Sequence, residues 1–341
     1  MAVKLTDIAI EAGVSRGTVD RALHHRGGVN PEVEKRILEI AQKHRFVPNR
    51  AGKVLAAQKR AVRIGCLLPG IDNIFFEDII KGIRDAEKEL ADYNVSVDVH
   101  QVKGYDERVH MAMLEEMAGH GYSGLCLTTL NSDTIRDRIS EIFPGVPIVS
   151  VNVPNEYDNS ICYVGPDYYK DGLTASGMFS MITHEKQDML FFTGSFHVSG
   201  HMERINGFAD GLAAHGVPFN VVKILETNDD DDEAYRKTME MLNDHSEISA
   251  IFCATAGASG ICRAVKESGR KLRLACFDDI PDTRMYVKER VIDFTICQEP
   301  ILQGHTAVAK LFDYIMNNGS GRPDNLITRS RIKIAENIDE D

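Results

Sequence analysis

Apolar and polar positions follow two different rhythms along this chain, and the change comes at about Val62. Ahead of it, short apolar clusters recur at helical spacing. Ile8, Ala9 and Ala12 predict a first helix from about Thr6 to Ala12, which Gly13 interrupts. Ser15 is a good N-cap for a second helix running to about Leu23. The stretch HHRGG breaks the pattern, and Asn30-Pro31 then sets a capping amide before a proline at the first helical position. The third helix carries Val33, Ile37, Ile40 and Ala41 on one face and ends near His44. PNRAGKVLAAQKR follows with helix formers but almost nothing to bury, so it reads as a linker that needs a partner to stay helical.

Beyond Val62 the apolar runs VRIGCLLP, VSVDVHQV, GLCLTT and PIVSV alternate with helical stretches beginning near Phe75, Asp106 and Ser132. The alternation resumes with a helix over 168–181, MLFFTG, a helix from about His201, a helix near 233–242, AIFCAT, a helix from about Ala258, and LRLACF. Strands alternating with helices of this length predict parallel sheets made of βαβ units. About 280 residues of this pattern exceed one comfortable core, so two similar lobes are expected.

Charge sharpens that division. The 341 residues carry a net charge of −12, but residues 1–60 hold 12 Lys+Arg against 6 Asp+Glu. The head is thus +6 and the remainder −18, which suggests that only the head touches nucleic acid. No run of about 18 apolar residues is present to cross a membrane. The start, MAVKLTDIAIEAGVS, does not read as a secretory signal, so a cytoplasmic protein is expected. The seven scattered cysteines show no paired metal spacing and read as buried, reduced thiols.

The sharpest local signal is LTDIAIEAGVSRGTVDRALH. Ala9, Gly13 and Val19 fall at the fifth, ninth and fifteenth positions of a window starting at Leu5, as a helix-turn-helix requires. The small residue lets two helices cross closely, the glycine permits a left-handed turn, and the valine anchors the second helix. A helical hairpin buried in an ordinary core is the competing reading. Ser15 would cap a helix whose first residues meet base edges in the major groove.

Here the chain resembles the lactose-repressor (LacI) family of bacterial regulators, through LTDIAIEAGVSRGTVDRAL, VNPEVEKRILEIAQKHRFVPN and RIGCLLPGIDNIFFEDIIKGI, over essentially its whole length. The resemblance implies base contacts from Arg16, Gly17 and Arg21, beside Ser15 and Thr18 at the helix start. Gly17 has no side chain to read with, and Asp20 stands where a serine is common, so operator sequence does not transfer from other members. The resemblance also makes the basic linker a hinge helix whose Leu55 wedges into the minor groove, flanked by Asn49, Arg50 and Lys53. A flexible tether is the alternative, and Gly52 favours it. The expected architecture is a small all-α helix-turn-helix head on an α/β body of two Rossmann-like lobes, similar to a type I periplasmic binding protein. The head spans 1–46 and the hinge 47–60. The body spans 61–341, with one lobe at about 61–161 plus 292–322 and the other at about 162–291 plus 323–341.

Such bodies hold ligands in the crevice outside the carboxyl ends of the strands. Asn73, Phe75 and Phe76 follow the first strand, offering an amide and two apolar faces for a sugar; the phenylalanines packing only in the core is the other reading. Asn152 ends PIVSVN. Arg204 matches the family's ligand-anchoring arginine and is expected to fork onto two hydroxyls, with a surface pair to Glu203 or Asp210 as the alternative. Asp278 matches a hydroxyl-accepting Asp, and Gln298 a polar residue near the lobe crossover. Thr255 departs from the family, which commonly has Asn-Asp at 255 and 256. One Arg, one carboxylate, amides and aromatics suit a sugar or polyol, with a purine or a sugar phosphate as rivals.

Other signals are discounted. Asp229 to Asp232 lack calcium-loop spacing and read as a solvated loop and helix start. His197 and His201 are four apart, but Ser-Gly lies between them, so a loop edging the cleft is preferred to a metal site. No Walker A, GxGxxG, GxSxG or paired catalytic carboxylates stand out, so no enzyme, metal or cofactor is expected. A homodimer on a near-palindromic operator is expected, and RIKIAENIDED has no leucine heptad for further assembly. A sugar-binding transport protein and a sugar-modifying enzyme on a Rossmann-like fold are the rivals.

Overall fold

The computed structural model describes residues 5–23, 29–44, 61–71 and 73–340. The head, taken by itself, is three helices: α1 (Leu5–Ala12), α2 (Arg16–Leu23) and α3 (Pro31–Lys43). Ile8, Val19 and Ile37, one from each, are fully buried and meet with Ala9, Ala12, Ala22 and Ala41. Gly13 turns between α1 and α2 at φ +65°, which glycine adopts without steric cost. Ser15 accepts the Thr18 N–H at 3.1 Å, and Asn30 accepts the Glu32 N–H at 2.9 Å ahead of Pro31. Lys43 ties α3 to Glu11 of α1. The hinge predicted over 47–60, with Asn49, Lys53 and Leu55, lies outside the described residues.

The body is two lobes. The first begins β1 (Val62–Leu68), α4 (Ile74–Glu89), β2 (Val95–Gln101), α5 (Glu107–Ala118), β3 (Gly124–Leu127), α6 (Asp133–Ile142), β4 (Ile148–Val151) and β5 (Ser160–Gly165). The second runs α7 (Tyr168–Ile182), β6 (Gln187–Thr193), α8 (Ser199–Ala214), β7 (Phe219–Glu226), α9 (Asp231–Asp244), β8 (Ala250–Cys253), α10 (Ala258–Ser268), β9 (Arg273–Phe277), α11 (Pro281–Lys288) and β10 (Phe294–Cys297). The chain then returns through α12 (Pro300–Met316) and β11 (Leu326–Ile327) before ending with β12 (Arg331–Lys333).

Each lobe has a six-stranded sheet, in the orders β11-β5-β4-β3-β1-β2 and β12-β10-β9-β8-β6-β7. All neighbours are parallel except β10 and β12. Helices cover both faces, so central strands such as VRIGCLL and AIFC are buried almost throughout and read as continuous apolar runs. All seven cysteines are buried and free. No described helix is long and apolar enough to cross a membrane.

The lobe limits differ from those expected. A boundary at 161/162 would fall inside β5, which pairs with β4 in the first sheet. Similarly, 291/292 precedes β10, which pairs with β9 in the second sheet. A limit at 322/323 would assign β11 to the second lobe, yet it pairs with β5. The crossings instead follow Gly165, Cys297 and Ile327. Strand pairing decides membership, and neither β5 nor β10 carries a local mark saying which sheet it joins.

Helix pairs near two crossings pack backbone to backbone. A Cβ at Gly82 of α4 would stand 2.0 Å from the Ile301 carbonyl oxygen, and one at Gly304 of α12 would stand 2.0 Å from that of Ile79. Gly304→Ala should therefore force the pair apart. Overpacking of this kind costs about 1–3 kcal/mol, and an unchanged thermal unfolding midpoint would contradict it.

Candidate functional site

The carboxyl ends of the two sheets face each other across a cavity, and nearly every strand end contributes to its wall. From the first lobe come Asn73, Phe75 and Phe76 after β1, Tyr105 after β2, Thr128 and Thr129 after β3, and Asn152 after β4. The second lobe supplies His201 and Arg204 from α8, Asp229 after β7, Thr255 after β8, Asp278 after β9 and Gln298 after β10. All eight residues expected from the sequence to face an effector are thus brought together.

Local backbone chemistry aims several of them. Asn152, Asp229 and Asp278 adopt left-handed backbone, with φ of 61°, 57° and 72°. Asn and Asp tolerate that region better than other residues with a Cβ, and the twist turns each side chain off its strand end toward the cavity. Asn73 caps α4, its Oδ1 accepting the Phe75 N–H at 3.1 Å. Phe75 and Phe76 meet edge to face at 5.3 Å and belong both to the first lobe's core and to the cavity wall. The two readings of these rings hold together.

Arg204 is 2% exposed, and its surroundings rule out the surface pair. Its Nη1 donates to the Ala254 carbonyl at 3.0 Å, and its Nη2 to buried Asp171 at 3.3 Å. The guanidinium lies over Phe277 and Tyr168, 3.8 and 4.4 Å from the ring centroids. Each terminal nitrogen thus has one protein partner and keeps a second N–H, while Nε is buried without a partner, so donors remain for a ligand in the cavity. Asp171 also accepts from Ser330. Burial raises its pKa, with Arg204 opposing.

Burial pushes the Asp278 carboxyl up to about 6 despite Arg204 and a hydrogen bond from Gln298 Nε2. His201 is held neutral, since burial lowers its pKa to about 4. Asn152 receives the Tyr168 hydroxyl at 3.0 Å and donates to Gln303 at 3.2 Å. Thr255, the departure from the family pattern, donates to Asp229 Oδ1 at 2.5 Å.

Asp229 corrects the view of its acidic run as solvated. Asp230 caps α9 and Asp232 pairs with Arg263, but Asp229 turns inward and accepts the Tyr105 hydroxyl from the opposite lobe. That bond draws the two lobes together across the cleft. Tyr105, Tyr168 and the two threonines went unrecognised in the sequence, and their one available signal was a place just beyond a strand end. His201 does edge the cavity, whereas His197 is not among its lining residues.

The cavity volume is about 40 Å³, room for roughly three waters, so a larger ligand requires the lobes to part. Among the described residues, six buried side-chain polar atoms have no hydrogen-bond partner, and four of them belong to lining residues: Arg204 Nε, His201 Nδ1, His110 Nδ1 and Gln298 Oε1. Buried polar groups are ordinarily paired, at about 1–3 kcal/mol for each left alone. Such a concentration marks a place built to receive hydrogen-bonding groups.

Comparison with known proteins agrees with both parts of the chain. Residues 4–49 match the model for bacterial regulatory proteins of the lacI family, and residues 64–319 the periplasmic binding protein domain. The chain is a lacI-type transcription regulator with a periplasmic binding protein body. This lacI-type regulator is 25% identical over 271 residues to catabolite control protein A of Priestia megaterium, covering 79% of each chain. It is 28% identical over 289 residues to the probable HTH-type transcriptional repressor ExuR of Bacillus subtilis, covering 82% of each. The fold of its body is shared with the glucose-galactose binding protein GanP of Geobacillus stearothermophilus, at a TM-score of 0.75 and 23% identity, covering 82% of this chain and 99% of that one.

On the head of the regulator, Ser15 and Thr18 hydroxyls are 2.8 Å apart at the start of α2, and Gly17 and Arg21 are exposed on the side away from Val19 and Ala22. Arg21 Nε donates back to the Gly17 carbonyl at 3.3 Å. The side chain of Arg16 lies outside the described residues.

Proposed function

We propose that this regulator is a homodimer whose affinity for a near-palindromic operator is set by a neutral sugar or polyol held in the interlobe cavity. The charge balance of the cavity supports this most. Arg204 is paired internally with Asp171, which leaves Asp229 and Asp278 as carboxylates on the wall. A phosphate or uronate would meet like charge there, at a cost of desolvation. Hydroxyl groups, by contrast, can donate to both carboxylates and satisfy the orphaned nitrogens and amide oxygen.

The polar network links the cavity to the three crossings between the lobes. Gln298, Ser330 and Tyr168 sit at the three crossings and bond to Asp278, Asp171 and Asn152 respectively. An effector that pulls on these groups biases how the lobes are set, and that bias reaches the head through residues 47–60. In this reading α2 enters the major groove, with Arg16, Thr18 and Arg21 toward the DNA and Ser15 and Gly17 at its start. Asn49, Lys53 and Leu55 engage the minor groove at the operator centre.

A duplex selected from a random pool by the full chain tests the whole reading. Its affinity should change about 5–150-fold when the right neutral sugar is added, as for a coupling of 1–3 kcal/mol. A panel of neutral sugars, polyols, sugar phosphates, uronates and purines identifies the class. A response confined to a phosphorylated or purine compound would sink the neutral-sugar assignment, and the absence of any salt-sensitive duplex preference would sink the regulator.

A further inference from the structure

On the outer edge of the first lobe, away from the cleft, four side chains from two segments converge on one phenol. Asp98 and His100 stand two residues apart on β2, the edge strand, and so share a face. His120 and Tyr122 come from the turn between α5 and β3. The Tyr122 hydroxyl oxygen is 2.8 Å from His100 Nε2, 3.0 Å from His120 Nδ1 and 3.1 Å from Asp98 Oδ2. It donates to the carboxylate, so with one proton it accepts from both rings. One ligand atom each from Asp98, His100 and His120 lies within 4.8 Å of the other two.

Other residues hold this cluster in place. Gly65 of β1 is in register with Asp98, and a Cβ there would stand 2.8 Å from the Tyr122 ring. The glycine therefore makes the hollow in which the ring lies. Arg63 Nε and Nη2 grip Asp98 Oδ2 at 2.7 and 2.6 Å, while Nη1 donates to the His120 carbonyl at 3.0 Å. Arg63 thereby positions the carboxylate and the His120 loop together, as outer partners do around a metal.

We propose that Asp98, His100 and His120 form a binding site for a divalent cation of the zinc class, with the Tyr122 hydroxyl or a water as fourth ligand. Two imidazoles and a carboxylate are a donor set suited to Zn²⁺ and its neighbours, whereas Ca²⁺ and Mg²⁺ prefer oxygen alone. Zinc bonds of about 2.0–2.2 Å require the ion to sit beside the phenol oxygen, with the two rings and the carboxylate turned toward that point. Side-chain rotation supplies that, since all three residues are only half-buried. The positive charge of Arg63 opposes the cation, so moderate rather than extreme affinity follows. His100 and His120 also bracket residues 101–119, which carry the cavity residues Tyr105 and His110. A bound ion would pin both ends of that segment.

Titration of the metal-free, untagged full chain with Zn²⁺ in a calorimeter tests this independently of any DNA or sugar response. One ion per chain is expected. His100→Gln and His120→Gln should each weaken binding by at least about tenfold, the lower end of what loss of a mere outer partner costs. Asp98→Asn, which keeps shape and an acceptor for Arg63, supplies a third reading should either glutamine variant fold poorly by circular dichroism. His245→Gln, at a surface histidine facing Glu247, should change nothing. Co²⁺ in place of Zn²⁺ should give the visible absorption of a four-coordinate site, absent from the His100→Gln/His120→Gln double variant. No saturable binding, or unaltered binding in the folded variants, overturns the proposal.

Discussion

Arg204→Ala is expected to lower the stability of the effector-free protein by about 3–5 kcal/mol at neutral pH, the cost of breaking a buried ion pair from one side. The guanidinium is sandwiched between Phe277 and Tyr168, so truncation removes packing as well as charge. It also leaves Asp171, itself almost fully buried, with only the Ser330 hydroxyl. Burial already raises the Asp171 pKa, and without Arg204 the carboxyl should take up a proton instead of remaining charged. The loss should therefore shrink in acid. Differential scanning calorimetry of wild type and variant from acid to neutral pH checks this. Pairing the change with Asp171→Asn should restore much of the stability, because no buried charge is then left alone, yet should not restore the effector response. A single variant as stable as wild type would mean that Arg204 is not held as described.

Asp278→Asn should do the reverse: strengthen the empty protein and cripple the sensor. The Asp278 carboxyl titrates at about 6 in the folded chain against 3.8 for the ordinary group. A raised acid pKa means that the native state binds the proton more tightly than the unfolded chain. Its relative stabilisation is fully present below about 3.8 and is lost as pH rises through about 6. At neutral pH the buried charge therefore weighs against folding, by about 1–3 kcal/mol after allowing for partial exposure. An amide removes that burden. It also removes the charged acceptor for a sugar hydroxyl, a bond worth about 1.5–3 kcal/mol, so effector affinity should fall about 10–150-fold. Chemical denaturation and ligand titration at neutral pH read the two effects separately, while operator binding without effector should persist. A variant that kept both wild-type stability and wild-type response would remove Asp278 from the site. The opposite signs expected at Arg204 and Asp278 follow from one fact: the first is a charge with a buried partner, the second a charge kept for something that arrives later.

Local patterns in the chain were enough to read the elements, the basic head and the kind of place where the site would lie. Apolar periodicity and caps such as Ser15 and Asn30 act over a few residues, so the helices and their starts could be read directly. The end of PIVSVN pointed to Asn152, because parallel sheets present their carboxyl ends to a common crevice, while Asp278 and Gln298 came from the family resemblance. Which sheet β5, β10 and β11 join was settled by long-range contacts, since backbone pairing carries no signature in a single strand. Those contacts brought Asp229 to Tyr105 across 124 positions of chain, gave Arg204 its partners Asp171 and Ala254, and gathered Asp98, His100 and His120 around one hydroxyl. Long-range partners set the charge, burial and orientation of a side chain, and those partners are chosen by packing rather than by spacing along the chain.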